Sequence, residues 1–140
     1  MRLPITPYAS VGPIEFGMRP SQVRQVIGRP YKSFKRTPQS AHPCDFFQDE
    51  GIFVYYEADG KAEAVEFAQP AEPIFEGTNL LSIPFSELAA LIQLRDRATE
   101  VETTELTSKA IGIGAYAPEA EESPEKPAES VIVFKKGYYD

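Results

Sequence analysis

The sequence predicts an α+β fold, an antiparallel sheet with short helices packed on one of its faces. A β-hairpin is indicated by Asp59-Gly60, which lies between two runs of alternating β-branched and aromatic residues. Two short helices are indicated by apolar residues at helical spacing after Pro20 and after Pro84. The order of helix, loop and hairpin occurs twice, so we expect a sheet with two similar halves.

The N-terminal segment is predicted to contain one strand and one helix. Early prolines favour an extended arm over residues 1–13, which we expect to lie on the rest of the domain. A short strand is predicted at residues 14–18. Pro20 suits the first position of a helix over residues 20–27, and Gly28 suits its end.

The hairpin at residues 51–68 is the clearest element, and the rest of the prediction is placed relative to it. A two-residue turn would pair Ala58 with Lys61 and set Val54 opposite Val65. The predicted core face carries Ile52, Val54, Tyr56, Val65 and Phe67. The predicted opposite face carries Phe53, Tyr55, Glu57, Ala62, Ala64 and Glu66.

The remaining elements are shorter and more often interrupted by proline and glycine. They are a strand near Tyr31 and Phe34, a strand at Ile74-Phe75, a helix from Pro84 to about Leu94, and strands at 99–107 and 131–134. Glycines within residues 110–116 indicate a bulge or a close approach of two backbones. The composition of residues 118–127, rich in proline and glutamate, predicts a mobile acidic loop.

Two passages share the pattern S-[QE]-[VL]-x-x-[VL]-I. They are Ser21–Ile27 and Ser86–Ile92, and they lie 65 positions apart. The pattern predicts an internal repeat, 14–76 and 77–140, within a single domain that spans residues 1–140. Helical periodicity by itself is the alternative explanation of the match.

A short stretch resembles a known family of small α+β domains. Phe16-Gly17-Met18, then Val23, then Ile27-Gly28-Arg29-Pro30 is similar to the opening of domains of the BamE/SmpA type. In that family the stretch starts a helix that packs on an antiparallel sheet. The β-lactamase inhibitor protein has a related architecture, two tandem helix-plus-sheet units whose sheet binds an enzyme. The resemblance implies an α+β fold and a binding role.

Charge is distributed unevenly along a chain whose formal net charge is −7. Residues 1–36 hold seven basic side chains and one acid, so residues 37–140 hold seven basic and twenty acidic side chains. The basic stretch 19–36 is interleaved with aromatic residues, but the overall acidity argues against nucleic-acid binding. No apolar run reaches the about 18 residues of a membrane span, and we expect a cytoplasmic protein without a secretory signal.

A potential nucleophile, base and acid lie together only at His42-Pro43-Cys44-Asp45. One histidine and one cysteine cannot complete a zinc site, and no cofactor-binding motif is present in the sequence. We therefore predict no catalytic residue, no metal and no cofactor. The alternatives are a thiol enzyme that uses Cys44 and His42, or a structural or ligand-holding module without chemistry.

The function that the residues favour is protein recognition. Aromatic residues set among carboxylates are typical of an interface with a basic partner. We predict a bacterial protein-binding module, an inhibitor or immunity protein that masks a basic toxin or enzyme. The predicted binding residues are Phe53, Tyr55, Glu57 and Glu66, which would face solvent on the hairpin. The alternative is that a second layer covers this face.

Overall fold

The computed structural model describes residues 1–139 and contains two short helices and two sheets, which confirms the predicted α+β class. The helices are α1 (Pro20–Ile27) and α2 (Phe85–Arg95). The strands are β1 (Arg2–Thr6), β2 (Ser10–Val11), β3 (Ile14–Glu15), β4 (Lys32–Phe34), β5 (Cys44–Phe47), β6 (Ile52–Tyr56), β7 (Ala62–Phe67), β8 (Glu72–Phe75), β9 (Thr78–Asn79), β10 (Glu100–Val101), β11 (Glu105–Ser108), β12 (Ile113–Tyr116) and β13 (Ser130–Phe134).

Eight strands form the large sheet, in the order β10-β11-β12-β13-β7-β6-β5-β4. Every neighbouring pair in it is antiparallel. Helix α1 precedes β4 to β7 along the chain, and α2 precedes β10 to β13. The sheet therefore consists of two four-stranded halves, each led by a helix, which meet at the pair β7 and β13.

The small sheet has the order β3-β2-β1-β8-β9, and its central pair, β1 with β8, is parallel. The prediction that residues 1–13 form an arm on the surface was wrong. Leu3 in β1 and Val11 in β2 are fully buried, because the N-terminal strands are part of the core. The prolines flank or enter these strands without preventing their pairing.

The main core lies on one face of the large sheet, which we call the inner face. Val54, Val65 and Val133 are fully buried there. Both helices contribute buried side chains to the same core, Val23 and Ile27 from α1 and Leu88 and Ile92 from α2. The helices thus pack on one face of the sheet, as the sequence predicts, and the opposite, outer face is left for other contacts.

The predicted hairpin register is confirmed from Ile52 to Tyr55, with Val54 opposite Val65, but the predicted tip was wrong. The amide of Glu57 donates to the carbonyl of Lys61 at 2.8 Å, so the loop is longer than two residues. A register shift then pairs Tyr56 with Ala62. An extra residue in one strand moves its neighbours to the opposite face. Ala62 therefore joins the inner core instead of the outer face.

In the second half, one segment differs from the prediction and another agrees with it. The strand predicted at residues 99–107 is interrupted between β10 and β11, where the Glu102 amide donates to the Glu105 carbonyl at 2.8 Å. The close backbone approach predicted from glycines is present at Gly112, where an added Cβ would lie 2.7 Å from the carbonyl oxygen of Phe134.

The acidic segment 118–127 is held against α2 by its backbone. Its residues form hydrogen-bonded turns, and Ala120 is buried in the main core. The carbonyl of Lys126 accepts from the Phe85 amide at 2.9 Å, and that of Pro124 accepts from the Ser86 amide at 3.2 Å. The prediction of a mobile loop was wrong. It was based on the acidic, proline-rich side chains, whereas the hydrogen bonds that hold the segment are made by its backbone.

Candidate functional site

The outer face of the large sheet carries one row of residues that crosses all eight strands. In an antiparallel sheet, residues directly opposite each other point to the same side. From β10 to β4 the row reads Glu100, Thr107, Gly114, Ile132, Glu66, Phe53, Phe46 and Lys32. The row begins at an acidic residue on β10 and ends at a basic one on β4, so the two edges of the outer face differ in charge.

Aromatic rings occupy the first half of the outer face. The rings of Phe46 and Phe53 stack with centroids 4.0 Å apart and planes 8° apart, and both residues are half-buried. Phe34 on the edge strand β4 is 42% exposed, and its neighbour Lys32 is also exposed. The first half of the face is therefore apolar with a basic edge.

Tyr55 does lie on the outer face, but the prediction that it stands exposed was wrong, because it is only 7% exposed. The guanidinium of Arg36 lies 3.8 Å from the centroid of its ring. Its hydroxyl donates to Glu66 Oε1 at 2.6 Å. Burial, followed by this hydrogen bond, raises the pKa of the Tyr55 phenol far above its usual range. Tyr55 thus belongs to a second, smaller core.

This second core forms because distant segments cover the centre of the outer face, where the two halves of the sheet meet. It contains buried residues from four strands, namely Cys44, Tyr55, Ala64 and Phe134. Phe53, Ile132 and Tyr138 pack against them and are partly buried. A covering layer is therefore present, and it is supplied by Arg36 and the C-terminal tyrosines.

The four predicted binding residues do not form one continuous exposed surface. Phe53 and Glu66 lie next to each other in the outer row, as predicted. Tyr55 is buried beneath Arg36. Glu57 lies beyond the end of β6, where it forms an ion pair with Lys135. A partner could therefore reach Glu66 and the edge of Phe53 without contacting the other two residues.

The second half of the outer face contains an open cleft of about 620 Å³. Its floor includes Thr107, Gly114 and Ile132, which are neighbours in the row. Tyr116 and Tyr139 also line it, with exposed fractions of 46% and 49%. The sequence interpretation missed this cleft, although alternation within residues 113–116 places Gly114 and Tyr116 on the same face.

Carboxylates outnumber cations in the cleft. Glu66, Glu100 and Glu105 line it on the acidic side, and Arg36 and Lys109 on the basic side. Within residues 1–139, the side chains of Glu100 and Glu105 form no hydrogen bond or ion pair, whereas Arg36 is occupied by the ring of Tyr55. The cleft therefore presents two exposed carboxylates without partners.

The segment His42-Pro43-Cys44-Asp45 is divided between the two faces of the sheet. Asp45 is fully buried on the inner side, where it accepts from Arg24 Nε at 2.9 Å and from the Tyr56 hydroxyl at 2.8 Å. Cys44 is buried on the outer side, and burial raises the pKa of its thiol. In the described part of the chain, no hydrogen bond joins this thiol to His42. The predicted absence of a catalytic residue stays an untested prediction, as does the alternative of a thiol enzyme that uses Cys44 and His42.

The described residues show neither a cluster of metal-binding side chains nor a membrane-crossing helix. Residues 1–139 contain no group of three or more His, Cys, Asp or Glu side chains placed to hold a metal ion. Neither α1 nor α2 has the length and apolar character that a membrane-crossing helix needs. Comparison with protein-family models, with curated protein sequences and with solved structures gave no significant match. The cleft on the outer face is therefore the strongest candidate for a functional site, and only its own lining residues support this choice.

Proposed function

We propose that this protein is a bacterial cytoplasmic binding module that masks a basic surface of a partner protein, in the manner of an inhibitor or immunity protein. The observation that carries the proposal is the cleft on the second half of the outer face. Exposed tyrosines and carboxylates without partners line it together. Tyrosine is common among residues that dominate binding energies, and oppositely charged surfaces speed and orient association.

The charge of the whole chain supports the same kind of partner. A formal net charge of −7 attracts basic proteins at long range. Most of the acidic excess lies after residue 36, in the part of the chain that builds the cleft. The basic edge of the outer face, at Lys32, lies at the opposite side of the sheet. A basic partner should therefore dock over β11 to β13, away from β4.

Affinity capture with matched variants tests the proposal. The bait is the full chain, and the first protein to test is the product of the neighbouring gene, since an immunity protein is usually encoded beside its toxin. The cleft variant carries Glu100→Gln and Glu105→Gln. The control variant carries Glu121→Gln and Glu122→Gln, which remove the same charge from exposed positions outside the cleft.

We expect the wild type and the control variant to retain the same partner, and the cleft variant to retain at least about tenfold less. Retention should also fall as the salt concentration rises, because the attraction is electrostatic. If the partner is an enzyme, the wild type should inhibit it and the cleft variant should inhibit it less. A protein captured equally by all three baits, or no captured protein, would contradict the proposal.

A further inference from the structure

The structure of the cleft also points to the chemical group that it receives. We infer that the Tyr116 end of the cleft binds the guanidinium group of an arginine side chain from the partner. The inference rests on the proposed function, which it makes more specific. It is carried by three features, namely an apolar floor at Ile132, an exposed aromatic wall and two carboxylates without a hydrogen-bond or ion-pair partner among the residues described.

The floor of the cleft is apolar, because Gly114 lies in the middle of the row and the side chain of Ile132 extends beside it. Its neighbours across the sheet are Thr107 on β11 and Ile132 on β13. An added Cβ at Gly114 would lie 3.0 Å from Ile132 Cγ2, so Ile132 already fills part of the space beside it. The Gly114 backbone is buried, so the floor at this point is the half-buried side chain of Ile132, an apolar surface on which a planar group can lie.

The wall at one end of the cleft is the ring of Tyr116. It is 46% exposed and lies two residues beyond Gly114, on the same face of β12. A guanidinium is planar and weakly hydrated, so it stacks on aromatic rings more readily than an ammonium group does. The protein already shows this arrangement on the same face, where the guanidinium of Arg36 covers the ring of Tyr55.

One carboxylate lies directly across from that wall, and a second lies in the neighbouring row of the same face. Glu105 is directly opposite Tyr116 across β11 and β12, and Glu100 is directly opposite Thr107 across β10 and β11. Both are exposed and lack a partner among the residues described. A carboxylate accepts two parallel hydrogen bonds from one guanidinium, a geometry that ammonium groups cannot match.

The cations of the cleft lie toward its other end. Lys109 follows β11, four positions after Glu105, which corresponds to about 13 Å along a strand. It also lines a neighbouring cavity of about 160 Å³ together with Tyr8 and Lys136. Arg36 lies over Tyr55, in the first half of the sheet. The Tyr116 end therefore remains acidic and suits a cation.

A pair of peptides tests the inference directly. Acetyl-Gly-Arg-Gly-amide supplies the guanidinium, and the same peptide with citrulline has nearly the same shape without the charge. Binding is measured by NMR titration of the isotopically labelled full chain, by following the backbone amides of Thr107, Gly114 and Tyr116. The cleft variant and the control variant defined above are titrated in the same way, together with Tyr116→Ala.

We expect the arginine peptide to bind about tenfold more tightly than the citrulline peptide, with saturable shifts at these three amides. The cleft variant should lose this preference, and the control variant should keep it. Tyr116→Ala should weaken arginine binding by about threefold or more while the spectrum remains that of a folded protein. Equal affinity for the two peptides, absence of saturable shifts, or an unchanged preference in the cleft variant would overturn the inference.

The peptide titration and the capture experiment fail independently. A partner that depends on the cleft carboxylates, combined with no preference for the arginine peptide, would refute the inference and leave the proposed function standing. A clear arginine preference, combined with no captured protein, would refute the proposed function and leave a site for guanidinium compounds.

Discussion

At the scale of single residues, Tyr55 shows that burial on the outer face depends on the segments packed over it. Tyr55 and Val54 are neighbours in β6 and point to opposite faces, yet both are buried. Val54 is buried by the main core, and Tyr55 by Arg36 and the second core. Tyr116 occupies the same face in the other half and remains 46% exposed. The two tyrosines should therefore respond differently to truncation.

We predict that Tyr55→Ala lowers the free energy of unfolding by about 3 kcal/mol, because it leaves a cavity in the second core. Tyr116→Ala, its matched control, should lower it by less than about 0.5 kcal/mol, since nearly half of that residue is exposed and it belongs to neither core. Urea unfolding followed by circular dichroism measures both values. A Tyr55→Ala variant as stable as the wild type would mean that the second core contributes little.

From the two buried phenols, Tyr55 and Tyr56, we also predict how the free energy of unfolding depends on pH. Burial, and then hydrogen bonds to Glu66 and Asp45, raise the pKa values of Tyr55 and Tyr56 well above the usual range. The folded chain therefore holds these protons where the unfolded chain releases them. Their contribution to stability is complete below about pH 10 and declines progressively above it.

Alkaline titration followed by tyrosine absorbance checks this second prediction. Two of the seven tyrosines should ionise only when the protein unfolds, so their absorbance change should coincide with loss of the circular dichroism signal. In Tyr55→Phe the part of the change that accompanies unfolding should shrink by about half, since one of two buried phenols is gone. Complete ionisation of all seven tyrosines before unfolding would contradict the prediction.

At the scale of elements, α2 depends on a segment that follows it by about thirty residues. Its N-cap position is Pro84, which makes no side-chain capping bond. The amides of Phe85 and Ser86 donate instead to backbone carbonyls in the acidic segment 118–127. Helix N-termini leave amides without partners, and side chains usually satisfy them. Here a distant backbone does so.

We predict that replacing residues 118–127 by a Gly/Ser segment of equal length destabilises the protein by about 1–2 kcal/mol. The amides of Phe85 and Ser86 should then lose protection from hydrogen exchange. As the control, changing Glu121, Glu122 and Glu125 to Gln should leave stability and protection unchanged, because the bonds come from the backbone. Equal protection in both variants would show that the segment does not cap α2.

At the scale of the whole molecule, the two halves of the large sheet depend on each other. They meet where Val65 on β7 pairs with Val133 on β13, and both side chains are fully buried. Alone, each half would expose this pair and a long strand edge. The exposed turn at Glu76-Gly77 separates the halves without interrupting either one.

We predict that fragments 1–76 and 77–140 are unfolded when separate and assemble into a folded complex when mixed. The expected result is a strand-type circular dichroism signal that appears only when both fragments are present. At a fixed total concentration, the signal should be greatest when the two fragments are equimolar. Val133→Asp in the second fragment should prevent assembly, because it places a charge in the shared core. Independent folding of either fragment would show that each half is a separate domain.

The elements themselves could be predicted from the sequence because their signals are local. Alternation along residues 52–56 and 63–67 specifies two faces whatever surrounds them, and the glycine and prolines near α1 mark its ends. The tip of the hairpin could not be predicted in the same way. Its register shift places Ala62 in the main core, and that packing involves residues far from the turn.

The site was only partly predictable for the same physical reason. Sequence alternation correctly placed Phe53, Tyr55 and Glu66 on one face, since side-chain direction in a strand is a local property. Which part of that face stays open is decided by Arg36 and the C-terminal tyrosines, which cover Tyr55 and Phe134 at the centre of the face and leave the cleft beside Tyr116. Local patterns determine the direction in which a side chain points, and only tertiary packing decides what lies in front of it.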